Sequence, residues 1–154
     1  MHGVRTRTPP HRRSPEYDNE VDDNRYLQRL GTLLVRVVPI DEALEALLTE
    51  RLGDDGQIER VRCLHDQLAV LQTELEGLLP IESFSKLHST CQKIFRHNVE
   101  GCRLLELAIV SSVQTLFSKA GTELALAEDA QHEAFTWIDG WEMVAQRAGT
   151  FHQA

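Results

Sequence analysis

The feature that most constrains this sequence is a leucine repeat between residues 61 and 78. Its positions follow one another at steps of 3, 4, 3, 4 and 3 residues, and they are Val61, Leu64, Leu68, Leu71, Leu75 and Leu78. This spacing places the side chains along one narrow face of an α-helix, which Pro80 is expected to close. An isolated helix of this length is only marginally stable in water, so the repeat predicts partner helices.

A second helix is predicted ahead of the repeat, on the spacing of Leu27, Leu30, Leu34 and Val37. Because a proline disfavours helical geometry in the residue before it, Pro39 predicts a kink or a break near Val38. A short strand over residues 33–38 is the alternative, since three of these residues are β-branched, but no other segment offers it a partner strand. The helix is expected to resume as far as Leu52 and to end at Gly53.

The apolar positions after Pro80 recur at about 3.6 residues on average, the period of a straight α-helix. They are Phe84, Leu87, Cys91, Phe95, Val99, Cys102, Leu105, Ile109, Val113 and Leu116. One helix over residues 82–118 is therefore predicted, with a bend at Gly101 and a stop at Gly121. A last helix, expected to end at Gly149, carries a seam at Leu124, Ala127, Gln131, Ala134, Ile138, Trp141, Ala145 and Ala148, of which Gln131 is polar.

The predicted fold class is all-α, an up-down bundle of about four helices, because helical segments joined by short turns pack in this way. Residues 1–23 contain three prolines, two blocks of opposite charge and almost no large apolar side chain. Such a segment buries too little surface to offset the entropy of ordering, so a disordered N-terminal tail is predicted there. Residues 24–150 are the predicted helical bundle domain, and whether Pro39 splits its first helix stays open.

The formal net charge of −8 argues against a nucleic-acid partner, because the phosphate backbone repels an acidic domain. The most apolar window, Leu104–Phe117, is 14 residues long and contains Glu106, so it is shorter than the roughly 20 residues that cross a bilayer. We therefore expect no membrane contact, and no apolar run follows the N-terminal arginines as in a secretory signal. An odd number of cysteines, three, fits a reducing compartment, and a cytoplasmic location is predicted.

The sequence offers no clear catalytic, metal or cofactor site. His88 and Cys91 have the spacing of a ligand pair, but Cys91 falls on the apolar stripe, where a free cysteine behaves as a small hydrophobic residue. Asp129 and His132 lie beside the seam of the last helix, on what is expected to be a solvated face. The glycine-rich phosphate loops and the nucleophile elbow are also missing from the sequence. We therefore expect no catalytic residues and no bound cofactor, and a non-enzymatic protein is favoured.

Three aromatic residues near the end of the last helix, Phe135, Trp137 and Trp141, are the candidate interface residues. These rings either cap the end of a core that is poor in aromatic residues, or Trp137 projects as an interface anchor, a role in which tryptophan is enriched. Together with the coiled-coil-like leucine seam, they favour a bundle that acts through protein–protein interaction or as a homo-oligomer. A small-molecule or metal-binding bundle, with a site near His88 and Cys91 and with or without catalysis, is the alternative.

Overall fold

The computed structural model describes the backbone of residues 15–51 and 55–153, and the side chains of residues 22–51 and 55–141. Four helices account for most of it: α1 (Pro15–Thr49), α2 (Gln57–Glu76), α3 (Ser85–Ser111) and α4 (Gln114–Gln153). A single 3₁₀ turn, Glu82–Phe84, leads into α3. The described backbone contains no strand, and the predicted all-α bundle of four helices is confirmed.

The helices form an up-down-up-down bundle in which α1 contacts α2 and α4, and α3 contacts the same two helices. Ion pairs between neighbours show the antiparallel order. Glu50 near the end of α1 binds Arg60 near the start of α2. Arg36, which comes earlier in α1, binds Glu74 near the end of α2. The α2–α3 pair of Arg62 and Glu106 links the start of one helix to the end of the other.

The leucine repeat is the core-facing seam of α2. Five of its six side chains are buried and Leu64 is partly buried against the core. The helix ends at Glu76, four residues before Pro80, and Leu78 reaches the core from the turn that follows. The predicted helix and its buried face are therefore confirmed.

Helix α1 runs without interruption through Pro39, so residues 33–38 are not a strand and the first helix is not split. The physical reason lies in where the proline sits. Its missing N–H would have bonded to the carbonyl of Val35, and both residues lie on the exposed face of α1. A carbonyl released on that face can turn towards water, so the lost hydrogen bond costs little there.

Helix α1 also starts earlier than predicted. It begins at Pro15, so residues 15–23, which were assigned to the tail, belong to its first turns. Proline suits the first helical position because its φ is already helical and because the N–H that it lacks would have no partner within the helix there. The predicted disorder of residues 1–14 lies outside the described residues.

The prediction of one helix over residues 82–118 is wrong, because the chain turns back between α3 and α4. Ser112 adopts a left-handed conformation with φ 56° and ψ 35°, and α4 begins two residues later. Neither glycine nor proline marks this turn, and the apolar spacing happens to continue across it. Burial differs before and after the turn, since Leu105 is fully buried whereas Val113 is exposed.

Two of the glycines expected to stop helices lie inside a helix instead. The third, Gly53, lies outside the described residues, and α1 ends ahead of it at Thr49. Gly121 and Gly149 are both within α4. Gly101, in the middle of α3, permits close packing: a Cβ atom there would lie 2.6 Å from Cδ2 of Leu124 on α4. The seam of α4 is buried at Leu124, Ala127, Gln131, Ala134 and Ile138, as predicted, while the side chains of Ala145 and Ala148 lie outside the described residues.

Candidate interaction surface and buried polar cluster

The predicted interface residues are part of an aromatic cluster at one end of the bundle. The rings of Trp137 and Trp141 stack at 5.9 Å between centroids, and each presents an edge-to-face contact to Phe84, at 5.3 and 5.1 Å. Tyr26 on α1 stacks on Phe84 at 5.5 Å between centroids. Phe84 therefore ties α1 to α4 through the turn before α3.

The three predicted anchors are all partly buried against the core: Phe135, Trp137 and Trp141. Two of them, the tryptophans, are brought together by the structure, as the one-turn spacing predicts. This packing accounts for their presence as a cap on the core. Their role in binding another chain stays a prediction.

His88 and Cys91, the candidate ligand pair, are both buried on α3. Burial lowers the pKa of His88, and its Nδ1 shares a hydrogen bond of 2.5 Å with the Tyr26 hydroxyl. Burial raises the pKa of the Cys91 thiol to about 12, which keeps it protonated and unreactive. Within the described part of the chain, no group of three or more His, Cys, Asp or Glu side chains could hold a metal ion.

Asp129 and His132 are exposed on α4, as the sequence predicts. The neighbouring Glu128 differs from them, since it acts electrostatically on Asp41 and Glu45 of α1. It belongs to a polar cluster that was not predicted from the sequence.

That cluster lies inside the bundle, where three helices each contribute one buried polar side chain: Asp41 from α1, Asn98 from α3 and Gln131 from α4. Among the described residues, neither carboxylate oxygen of Asp41 has a hydrogen-bond partner, and the same holds for Oδ1 and Nδ2 of Asn98 and Nε2 of Gln131. Burial raises the pKa of Asp41 to about 7, and the negative charges of Glu45 and Glu128 raise it as well. The nearby amides of Asn98 and Gln131 act in the opposite direction.

Glu45 and Glu128 extend this acidic seam between α1 and α4. The pKa of Glu45 is raised by burial first, then by the charge of Glu128 and by a hydrogen bond with it. The raised pKa values of Asp41 and Glu45 mean that these two carboxyls hold their protons to higher pH than exposed carboxyls do.

A signal for this cluster exists in the sequence. Asp41 falls between the buried Val37 and Leu44 at helical spacing, and Gln131 was noted as a polar seam position. Asn98 was missed because its neighbours Phe95 and Val99 satisfy the apolar spacing without it. A polar residue at a core position in three different helices is the pattern that indicates such a cluster.

The clearest exposed apolar feature is the corner where α3 turns into α4, which we define as residues 107–118. This segment contains no charged residue, and it forms most of the apolar window noted in the sequence. Leu107, Val110 and Val113 are exposed there, with Val110 at 62% of its full accessibility. The remaining exposed side chains of the corner include Ser111, Gln114 and Thr115, which are neutral and polar.

Two grooves open between α1 and α2. One, of about 520 Å³, is lined by Arg29, Arg36 and Glu74 among others, and its Arg36 already pairs with Glu74 at 3.1 Å. The other, of about 260 Å³, has a mostly apolar lining that includes Leu47 and the exposed Cys63. The second lining also contains Glu50, and both carboxylate oxygens of Glu50 accept hydrogen bonds from Arg60.

No helix in the described part of the chain is long and apolar enough to cross a membrane. In comparisons with known proteins, the chain matches no family model, no curated protein and no solved structure.

Proposed function

We propose that this protein is a non-enzymatic helical bundle that acts by self-association, with a second copy of the chain docking on the α3–α4 corner. The observation that carries the proposal is the exposure of three apolar side chains within a charge-free corner. Burying apolar surface is favourable by about 25 cal/mol per Å², so a solvated Leu107, Val110 and Val113 favour a partner. Elsewhere in the described part of the chain, the exposed large apolar residues are more dispersed along the sequence.

A second copy suits this corner because of charge. Each chain has a formal net charge of −8, so two chains repel each other over most of their surfaces. At the corner, twelve consecutive residues carry no charge, and two corners related by a two-fold axis would bury the same apolar side chains from both chains. The neutral Ser111, Gln114 and Thr115 supply a polar rim that can form hydrogen bonds without electrostatic repulsion.

The absence of an enzymatic role is supported by the state of the buried groups. His88 is bonded to Tyr26, and the raised pKa of Cys91 keeps the thiol from acting as a nucleophile. We infer a cytoplasmic location from the three cysteines, Cys63, Cys91 and Cys102, all of which are free thiols. The alternative, a metal-binding or small-molecule-binding bundle, is tested by metal analysis of the purified protein.

Sedimentation equilibrium over a range of protein concentrations tests the proposal. The wild-type chain is expected to shift towards twice its monomer mass of 17.5 kDa as the concentration rises. Val110→Glu is expected to abolish the shift, because it places a carboxylate inside the proposed interface. Val35→Glu is the matched control, since Val35 is a helical valine with the same exposure, 61%, on α1.

A monomer at every concentration would refute self-association. A dimer that Val110→Glu leaves intact would place the interface elsewhere, and the loss of that dimer in Trp137→Ala would locate it at the aromatic end. Stoichiometric metal in the purified wild-type protein would favour the alternative function.

A further inference from the structure

The buried polar cluster lies where three helices meet, and its charges are unbalanced. The charged groups that act on Asp41 are Glu45 on its own helix and Glu128 on α4, and both are acidic. Glu42 acts in turn on Glu45. From α3, Asp41 faces the amide of Asn98 and the thiol of Cys102, whose pKa is raised by burial, by Asp41 and by Glu106. Among the described residues, no cation acts on Asp41.

A proton bound to Asp41 removes this uncompensated negative charge. An ionised carboxylate buried without a counter-charge is strongly unfavourable, whereas a protonated carboxyl is neutral and gains an O–H donor. That donor can serve the amide oxygen of Asn98 or Gln131, the neighbours that α3 and α4 place beside it. Protonation also removes the repulsion between Asp41 and the two glutamates.

The packing indicates which helix yields when the proton leaves. Helices α3 and α4 approach so closely at Gly101 that an added Cβ would overlap Leu124. The contact of α1 with α4 at Gly121 is looser, since a Cβ there would lie 3.7 Å from Cδ1 of Leu48. Helix α4 also packs more extensively on α3 than on α1, so repulsion across the α1–α4 seam acts on the less extensive of these two contacts.

We propose that the α1–α4 seam is a proton-operated latch, closed when Asp41 carries a proton and loosened around Asp41 when that carboxyl is ionised. The direction of the pH effect follows from the linkage between proton binding and opening. A carboxyl whose pKa is raised in the closed state binds protons more tightly there, so rising pH favours the open state. The effect accumulates between the ordinary pKa of an aspartate, about 4, and the closed-state pKa of about 7. At pH values above this range, the preference for the open state levels off.

Cys102 provides the readout, because it is buried on α3 beside Asp41 and becomes accessible when the seam loosens. The full-length protein is labelled with N-ethylmaleimide at several pH values, and modification of each cysteine is followed by peptide mass spectrometry. The exposed Cys63 reports the intrinsic thiol reactivity at each pH. Cys91, buried near the aromatic end of α3, reports opening of the whole bundle.

The labelling rate of Cys102 relative to Cys63 is expected to rise about tenfold between pH 6 and pH 8, the change that linkage gives for these two pKa values. Asp41→Asn is expected to abolish the rise, because an amide does not ionise. Asp129→Asn, the same replacement at an exposed site on α4, is the matched control and is expected to preserve it.

A relative rate that is equal at pH 6 and pH 8 would overturn the latch, and so would a rise that persists in Asp41→Asn. An equal rise at Cys91 would also overturn it, because opening would then involve the whole bundle. If Asp41→Asn does not fold, Glu128→Gln provides the test. Removing that charge lowers the pKa of Asp41, so the rise between pH 6 and pH 8 is expected to shrink, and an undiminished rise would contradict the proposal.

Discussion

At the scale of single residues, Gly101 sets how closely two helices approach. Its missing side chain leaves room for Leu124, whose Cγ and Cδ2 would lie 3.0 and 2.6 Å from an added Cβ atom. Gly31 on α1 provides a contrast, since nothing lies within 4 Å of a Cβ added there. The same residue type therefore has a packing role at one position and none at the other.

Gly101→Ala is expected to lower the free energy of unfolding by about 1–3 kcal/mol, the usual cost of overpacking a core, despite the better helix propensity of alanine. Gly31→Ala, the matched control, is expected to raise it by about 0.5–1 kcal/mol, because alanine favours helix and meets no obstacle. Urea unfolding of both variants measures the difference. A stabilised Gly101→Ala variant would show that α3 and α4 pack less closely than described.

At the scale of elements, the sequence predicted those parts of the fold that periodicity alone determines. The leucine seam of α2 is determined by burial on one face, so spacing was sufficient to identify it. The turn between α3 and α4 is determined by tertiary packing, because the hairpin needs a reversal where Gly101 can meet Leu124. A left-handed serine carries no signal comparable to glycine, so the turn at Ser112 was missed.

The candidate sites were predictable to the same extent: features within one helix follow from spacing, whereas features that join several helices do not. One-turn spacing was enough to pair Trp137 with Trp141, and a polar position in an apolar seam drew attention to Gln131. The partners Asp41 and Asn98 come from other helices, and only the arrangement of helices in space brings them together. Likewise, the apolar window was visible in the sequence, but its exposure follows from the turn.

The seam of α2 gives a direct test at this scale. Leu71→Ala is expected to lower the free energy of unfolding by about 2–5 kcal/mol, because Leu71 is buried in the core. Val70→Ala, at the adjacent position, is expected to cost less than about 0.5 kcal/mol, since Val70 is exposed. Denaturant unfolding of the two variants checks this, and equal losses would contradict the orientation of α2.

At the scale of the whole molecule, the two proposed sites occupy different regions. The carboxylates of α1 and α4 converge on the seam around Asp41, where a proton is the proposed partner. The α3–α4 corner is uncharged, and there the proposed partner is a second copy. Deprotonation of the seam would act on the contact of α1, whereas association would use the α3–α4 hairpin, so the two proposals are tested independently.

Intermolecular cross-linking at the corner tests self-association most directly. In a chain with Cys63→Ser, which removes the exposed native thiol, Val110→Cys is oxidised at micromolar concentration under native conditions and compared with Val35→Cys. If two corners meet across a two-fold axis, Val110→Cys should form a covalent dimer far faster than Val35→Cys, at a rate set by the non-covalent dimer rather than by random collision. Equal, slow cross-linking of the two variants would contradict association through the corner.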